Sequence, residues 1–199
     1  MLEKIISYDH ITLNYLRSLV DPTNTLAVEL VKIFSDFWVI LVAFFLLYLW
    51  LYWVFKKTDD SKKASLLIFY SIAFSFLVYI LINQWFPLRP RPETISAIKP
   101  LVDHLPDNSF PSWHAIFAWA AILAIYFYSK RKYFWIILIF SLIMLVCRII
   151  AGVHYPADIL AWLIIWLIWS FAVYKVKDFR FMKEYLLSFP IKIAKYIKL

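Results

Sequence analysis

The run "FWVILVAFFLLYLWLYWVF", residues 37 to 55, carries no charge, no glycine and no proline over nineteen positions. An α-helix rises about 1.5 Å per residue, so about 20 such residues cross a hydrocarbon core of about 30 Å. This run reads as a transmembrane helix. A second charge-free run, Ala64 to Leu88, is long enough to span again. Three further runs follow at Ala115 to Ser129, Tyr133 to Cys147 and Ile159 to Tyr174. Each is short unless it draws polar neighbours into its helix: Ser112 and His114 for the first, Arg148 for the second and Asp158 for the third. Ionisable groups at the edge of a span are costly, so their retention points to a function.

Composition agrees with this reading. Hydrophobic residues make up 64% of the 199-residue chain and aromatic residues 21%, with a mean hydropathy of +0.74. Soluble domains hold about 45–50% apolar residues. The chain therefore reads as one integral membrane domain over residues 1–199, an all-α polytopic bundle of about five transmembrane helices. One cysteine, Cys147, excludes an intramolecular disulfide. The net charge of +8 falls in short clusters between apolar runs, which suits anionic lipid and argues against nucleic acid as partner. The N-terminal stretch is interrupted by Glu3, Asp9, His10 and Arg17, so no cleavable signal is expected. Residues 2 to 20 set Leu2, Ile5, Ile6, Leu13, Leu16 and Leu19 at helical intervals, consistent with an interfacial amphipathic helix or with a packing helix of the fold. Asp9 and His10 are expected at its surface. The tail "FPIKIAKYIKL" is expected to lie on the inner leaflet or to be solvated.

Charge also sets the sidedness. Lys56, Lys57, Lys62 and Lys63 separate the first two spans, Lys130, Arg131 and Lys132 separate the third and fourth, and seven basic residues follow the fifth. Fourteen of the 21 Lys and Arg residues thus share one side, which the positive-inside rule makes cytoplasmic. The exit of span two at "PLRPRPE", the entry of span three at "PSWH", the exit of span four at Arg148 and the entry of span five at His154 and Asp158 then meet at the opposite, extracytoplasmic face.

The residues gathered there suit an anion. In "NSFPSWHAIFAW", residues 108 to 119, Pro111 is suited to a first helical turn, which would leave the backbone N–H groups of Ser112, Trp113 and His114 pointing out of the helix start. In "CRIIAGVHYPADIL", residues 147 to 160, Pro156 marks another helix start, with Asp158 in its first turn and His154 just before it. An Asp hydrogen-bonded to one imidazole nitrogen leaves the other as nucleophile or base. Gly152, the chain's single glycine, suits a tight turn needing positive φ. Arg89, Arg91 and Arg148 supply forked cations matched to phosphate oxygens. Lys99, Asp103, His104 and Asp107 lie in the loop before "FPSWH", either lining the site or solvated. The histidines and carboxylates match no familiar metal-ligand spacing.

Taken in order, "RPRP" at 89 to 92, "FPSWHA" at 110 to 115 and "CRIIAGVHYPAD" at 147 to 158 resemble the three-part signature of the type-2 phosphatidic acid phosphatase (lipid phosphate phosphatase) superfamily, most of all its bacterial undecaprenyl-diphosphate phosphatase branch. The core of the resemblance runs from 84 to 158. It implies an acid phosphatase/vanadium haloperoxidase-like helical fold and hydrolysis of a lipid (di)phosphate within membrane lipids, without metal or other cofactor. It also implies His154 as nucleophile through a phosphohistidine, Asp158 as its orienter and His114 as acid and then base. Arg91, Arg148, Ser112 and the amides of Trp113 and His114 would hold the phosphate. The implied location is a bacterial-type cytoplasmic membrane with the site facing outward.

Three positions depart from the pattern. The lysine expected seven residues before the motif arginine is Gln84 counted from Arg91 and Ile82 counted from Arg89, so Arg89, helped by Gln84 and Asn83, is expected to stand in for it. Trp113 replaces a glycine, and Cys147 replaces a serine. Competing readings are a phosphatidylglycerophosphate or phosphatidate phosphatase, a lipid phosphotransferase, a catalytically impaired lipid-binding homologue, and a proton-coupled transporter. The transporter would need an internal repeat and polar residues throughout the bilayer depth, and neither is visible.

Overall fold

The computed structural model describes residues 2–56, 59–85, 89–95, 99–104, 108–176 and 179–196. The described residues form helices α1 (Leu2–Ser18), α2 (Thr25–Lys56), α3 (Asp59–Trp85), α4 (Pro92–Ile95), α5 (Trp113–Tyr128), α6 (Arg131–Ile150), α7 (Pro156–Val176) and α8 (Phe189–Tyr196), with a wide π-type turn at Met182–Ser188 before α8. Three helices, within Thr25–Tyr52, Asp59–Gln84 and Arg131–Ile150, are long and apolar enough to cross a membrane; the apolar helix α5 packs against the second and third of them, and α7 packs on α5. The all-α bundle and its membrane character follow as expected.

The polar neighbours of the three short runs are indeed taken up. His114 lies in α5 with Ser112 as its N-cap, Arg148 lies in the last turn of α6 and Asp158 in the first turn of α7. The first span also extends well beyond the charge-free run. Helix α2 has 32 residues and begins at Thr25, about 48 Å at the helical rise. That exceeds the hydrocarbon thickness, so its first three turns, with Glu29, Lys32 and Asp36, belong to the membrane surface.

Helix α5 is the axis of the bundle. Every residue from His114 to Ile122 is buried, together with Ala124 and Ile125, and α5 packs against α3, α6 and α7. Its alanines at 115, 118, 120, 121 and 124 let neighbouring backbones approach closely. Larger side chains, among them Trp38, Met144, Trp162 and Trp166, fill the space around this thin helix. The outer surface remains apolar: Phe44, Trp135, Leu160 and Ile164 are all exposed, as expected where lipid is the solvent.

Helix α1 combines both expected roles. Leu13 is fully buried against the bundle, while Ile5, Ile6, Tyr8, Ile11, Tyr15 and Leu19 point outward, and the helix packs on α6 and α7. Its Asp9 is not the surface group expected from sequence: it is 4% exposed. The sequence gives a carboxylate at this position no visible partner, because both partners come from far along the chain. Of the C-terminal tail, Phe189–Tyr196 folds as α8, with Ile191 and Ala194 buried and Lys195 paired to Asp59 at 2.7 Å.

Gly152 sits at φ 78° in the turn between α6 and α7. A side chain there would meet the left-handed penalty of about 1–2 kcal/mol. Gly152→Ala is accordingly expected to lower the unfolding midpoint in detergent by about 3–6 °C, measured by thermal unfolding of the purified protein.

Candidate active site

Arg89, Arg91, His114, Arg148, His154 and Asp158 come together at one end of the bundle, and short backbone links explain how. Arg89 and Phe110 form an isolated antiparallel bridge, with the Ser109 N–H donating to the Arg89 carbonyl at 2.8 Å. The "RPRP" segment is thereby held against the entry to α5. In the α6–α7 turn, the Ala151 carbonyl accepts from Leu101 N–H at 2.8 Å, and the Val153 carbonyl accepts from Arg91 Nη1 at 2.7 Å. Arg91, Arg148 and His154 are all at least nine-tenths buried.

His154 is hydrogen-bonded on one nitrogen and unpartnered on the other among the described residues. Its Nδ1 lies 2.8 Å from the Ser109 carbonyl oxygen. A carbonyl can only accept, so Nδ1 carries the proton and Nε2 carries the lone pair. Nε2 is buried with no hydrogen-bond partner among the described residues. Burial, followed by the positive charges of Arg148 and Arg91, holds His154 well below the ordinary imidazole range, against the smaller opposing effect of the Ser109 carbonyl. A neutral imidazole with a free lone pair among cations can attack an electron-poor centre that brings its own negative oxygens.

Asp158 does not contact His154 as expected. Its carboxylate instead accepts from Tyr155 N–H at 3.0 Å, from Arg89 Nη1 at 3.2 Å and from the Ser109 hydroxyl. The first turn of α7 explains this, since a carboxylate three residues after Tyr155 closes onto that free N–H as a helix cap does. Ser109 fills the gap: its hydroxyl is held by Asp158 and its carbonyl holds His154. Ser109, fully buried, is the link that sequence reasoning missed, and nothing in "NSFP" distinguishes it from an ordinary turn serine.

Arg89 is also employed differently from its expected role in phosphate binding. It pairs with Asp9 at 2.7 Å and Asp158 at 3.2 Å and lies 3.7 Å from the centroid of the Tyr155 ring. Two carboxylates already balance its charge. Asp9 also accepts from Ala157 N–H at 2.8 Å, so α1 caps the start of α7. Gln84, expected to assist at the lysine position, is exposed near the end of α3 and is not among the cavity-lining residues.

A cavity of about 390 Å³ is lined by Asp36, Arg91, Asp103, His104, Trp113, His114 and Arg148, and His154 lies outside this lining. Helix α5 begins at Trp113, after a cis Phe110–Pro111 bond and an N-cap at Ser112. Pro111 therefore precedes the helix instead of opening it. The Ser112 hydroxyl accepts from Ala115 N–H at 3.5 Å, so its oxygen caps the helix while its proton can be given to a ligand oxygen. The first-turn N–H groups of Trp113 and His114 have no place in the helical ladder. The Trp113 ring, where the pattern has a glycine, lies 3.6 Å from the His114 ring, centroid to centroid, and forms one wall. His104 pairs with Glu93 at 3.0 Å. Asp103 and His104 thus line the cavity; Lys99 instead lies beside Arg17 in a separate surface depression, and Asp107 lies outside the described residues. Cys147 is a buried free thiol.

The second missed residue is Asp36. Its Oδ1 lies 3.1 Å from His114 Nε2 and 3.2 Å from Arg148 Nη1. The sequence did carry a signal: Asp36 is a lone carboxylate directly before the run that starts at Phe37.

Comparison with known proteins agrees with this geometry. The PAP2 superfamily matches residues 64–182. The chain is 30% identical over 155 residues to Undecaprenyl-diphosphatase BcrC of Bacillus subtilis (strain 168), covering 78% of this chain and 77% of that protein. It is 31% identical over 114 residues to Bacitracin transport permease protein BcrC of Bacillus licheniformis, covering 55% and 53% respectively. No solved structure matches. With three motifs brought to one face of an all-α membrane bundle and the match extending over most of the chain, this integral membrane protein belongs to the PAP2 superfamily.

Proposed function

We propose that the protein is a membrane hydrolase that removes the terminal phosphate of undecaprenyl diphosphate through a phosphohistidine at His154, on the extracytoplasmic face of a bacterial cytoplasmic membrane. The observation that carries this reading is the state of His154, with Nδ1–H fixed on the Ser109 carbonyl and Nε2 buried without a hydrogen-bond partner among the described residues, under the positive charges of Arg148 and Arg91. The similarity to an undecaprenyl-diphosphatase supports the choice of substrate.

In the proposed reaction, Nε2 of His154 bonds to the terminal phosphorus as the bond from phosphorus to the bridging oxygen breaks. The acid step requires His114 as the imidazolium, which gives its Nε2 proton to the departing lipid phosphate and is left as the neutral base. Water then attacks the phosphohistidine, His114 takes a proton from that water, and the nitrogen–phosphorus bond breaks to release inorganic phosphate and restore His154. Arg91, Arg148 and the Trp113 and His114 amides stabilise the phosphoryl oxygens as charge redistributes. Asp158 acts at one remove, by fixing Ser109. The isoprenoid tail would lie along the apolar outer surface of the bundle.

The test is phosphate release by the purified protein in detergent containing EDTA, with undecaprenyl diphosphate, phosphatidylglycerophosphate and phosphatidate compared at equal concentration. The expected result is undiminished activity in EDTA and a kcat/KM at least about tenfold higher for the diphosphate. Activity abolished by EDTA would contradict the mechanism, and preference for either glycerolipid would overturn the substrate.

A further inference from the structure

Asp36 poses a problem that the proposed reaction does not solve. A carboxylate in a cavity meant for phosphate repels the ligand, yet this one is set directly against the cations. A single oxygen, Oδ1, contacts both Arg148 Nη1 and His114 Nε2. Because a carboxylate accepts, His114 carries its proton on Nε2, and the other ring nitrogen, Nδ1, is buried without a partner among the described residues. The proton that reaches the cavity is therefore the one Asp36 already holds. The side chain is 59% exposed, so it is free to swing aside. Asp36 also lies outside the residues 64–182 that match the superfamily, so the shared signature does not account for it.

We infer that Asp36 is a built-in competitor for phosphate, its oxygen occupying the position between Arg148 and His114 that a phosphoryl oxygen of substrate or product takes. This rests on the reading of the cavity as a phosphate site. Two anions cannot share one pair of donors, so each phosphate must displace the carboxylate on entry and is opposed by it while bound. For an enzyme that leaves inorganic phosphate in a pocket of buried arginines, such a competitor weakens retention of the product. Asp36 thus sets the affinity of the site for phosphate.

The experiment compares the full-length parent protein with Asp36→Asn, Asp36→Ser and Asp36→Glu. One measurement is the inhibition constant of inorganic phosphate against hydrolysis of a prenyl diphosphate. The other is the dissociation constant of inorganic phosphate, from its protection against thermal unfolding, in a His154→Ala background. Both neutral variants are expected to bind phosphate about tenfold more tightly by both measures, with Asp36→Glu returning toward the parent. A support for His114 or for folding alone has no means of strengthening phosphate binding. Unchanged or weaker phosphate binding in the neutral variants, or loss of folding in both, would overturn the inference. Tighter phosphate binding in a protein that hydrolyses no lipid diphosphate would uphold this role and reject the proposed reaction.

Discussion

His154→Ala is expected to lower kcat by on the order of 10⁴-fold or more, because it removes the nitrogen assigned to bond phosphorus. His114 is occupied by Asp36 and His104 by Glu93. The loss should fall on kcat with little change in KM, since the phosphate contacts assigned to Arg91, Arg148 and the α5 amides remain. A rate assay across substrate concentrations in detergent checks this. The pH dependence should follow the same residue. Burial and the two arginines depress its protonation, so the neutral nucleophile persists as pH falls through the usual imidazole range near 6.5. The part of the acid limb of kcat that belongs to His154 should therefore lie below that value.

Asp158→Ala should have the largest effect on stability. The carboxylate is 3% exposed and serves Arg89, the Ser109 hydroxyl and the Tyr155 N–H together. Its removal leaves a cation with one carboxylate in place of two and strands two buried donors, a loss of about 3 kcal/mol. For a chain of this size that corresponds to about 6–12 °C in the unfolding midpoint. Activity should fall as well, because Ser109 loses the partner that fixes the carbonyl holding His154. A direct Asp158–His154 couple would instead predict a large loss of rate with little loss of stability. Thermal unfolding and kcat measured on the same preparation distinguish the two arrangements.

Much of this architecture was legible in the sequence because a membrane imposes strong rules. Charge-free length located the spans, and the distribution of lysines and arginines brought "RPRP", "PSWH" and "CRIIAGVHYPAD" to one face. The shortness of three runs correctly signalled that His114, Arg148 and Asp158 belong to helices, and Gly152 adopts the positive φ it was expected to supply. The misses share a cause. Asp9, Asp36 and Ser109 each act on residues at least forty-five positions away, and no periodicity encodes such pairings. The role of Arg89 was misassigned for the same reason: a cation looks available until the carboxylate that claims it, here Asp9 from α1, is placed. Asp158 was linked to His154 by their spacing, whereas the cap on Tyr155 and the hydroxyl of Ser109 compete for the same oxygens and win.

The central claim is that His154 Nε2 forms a covalent bond to phosphorus, and the most direct measurement is a rapid acid-free quench of the protein with undecaprenyl diphosphate labelled in its terminal phosphate, followed by mass spectrometry of its peptides. The expected result is a phosphoryl group on His154 that forms within a turnover, is stable to alkali and is lost in acid. It should be absent from His154→Ala. A wild-type protein that turns over the labelled lipid while carrying no phosphate on His154 at any time point, or that carries it on another residue, would contradict the account.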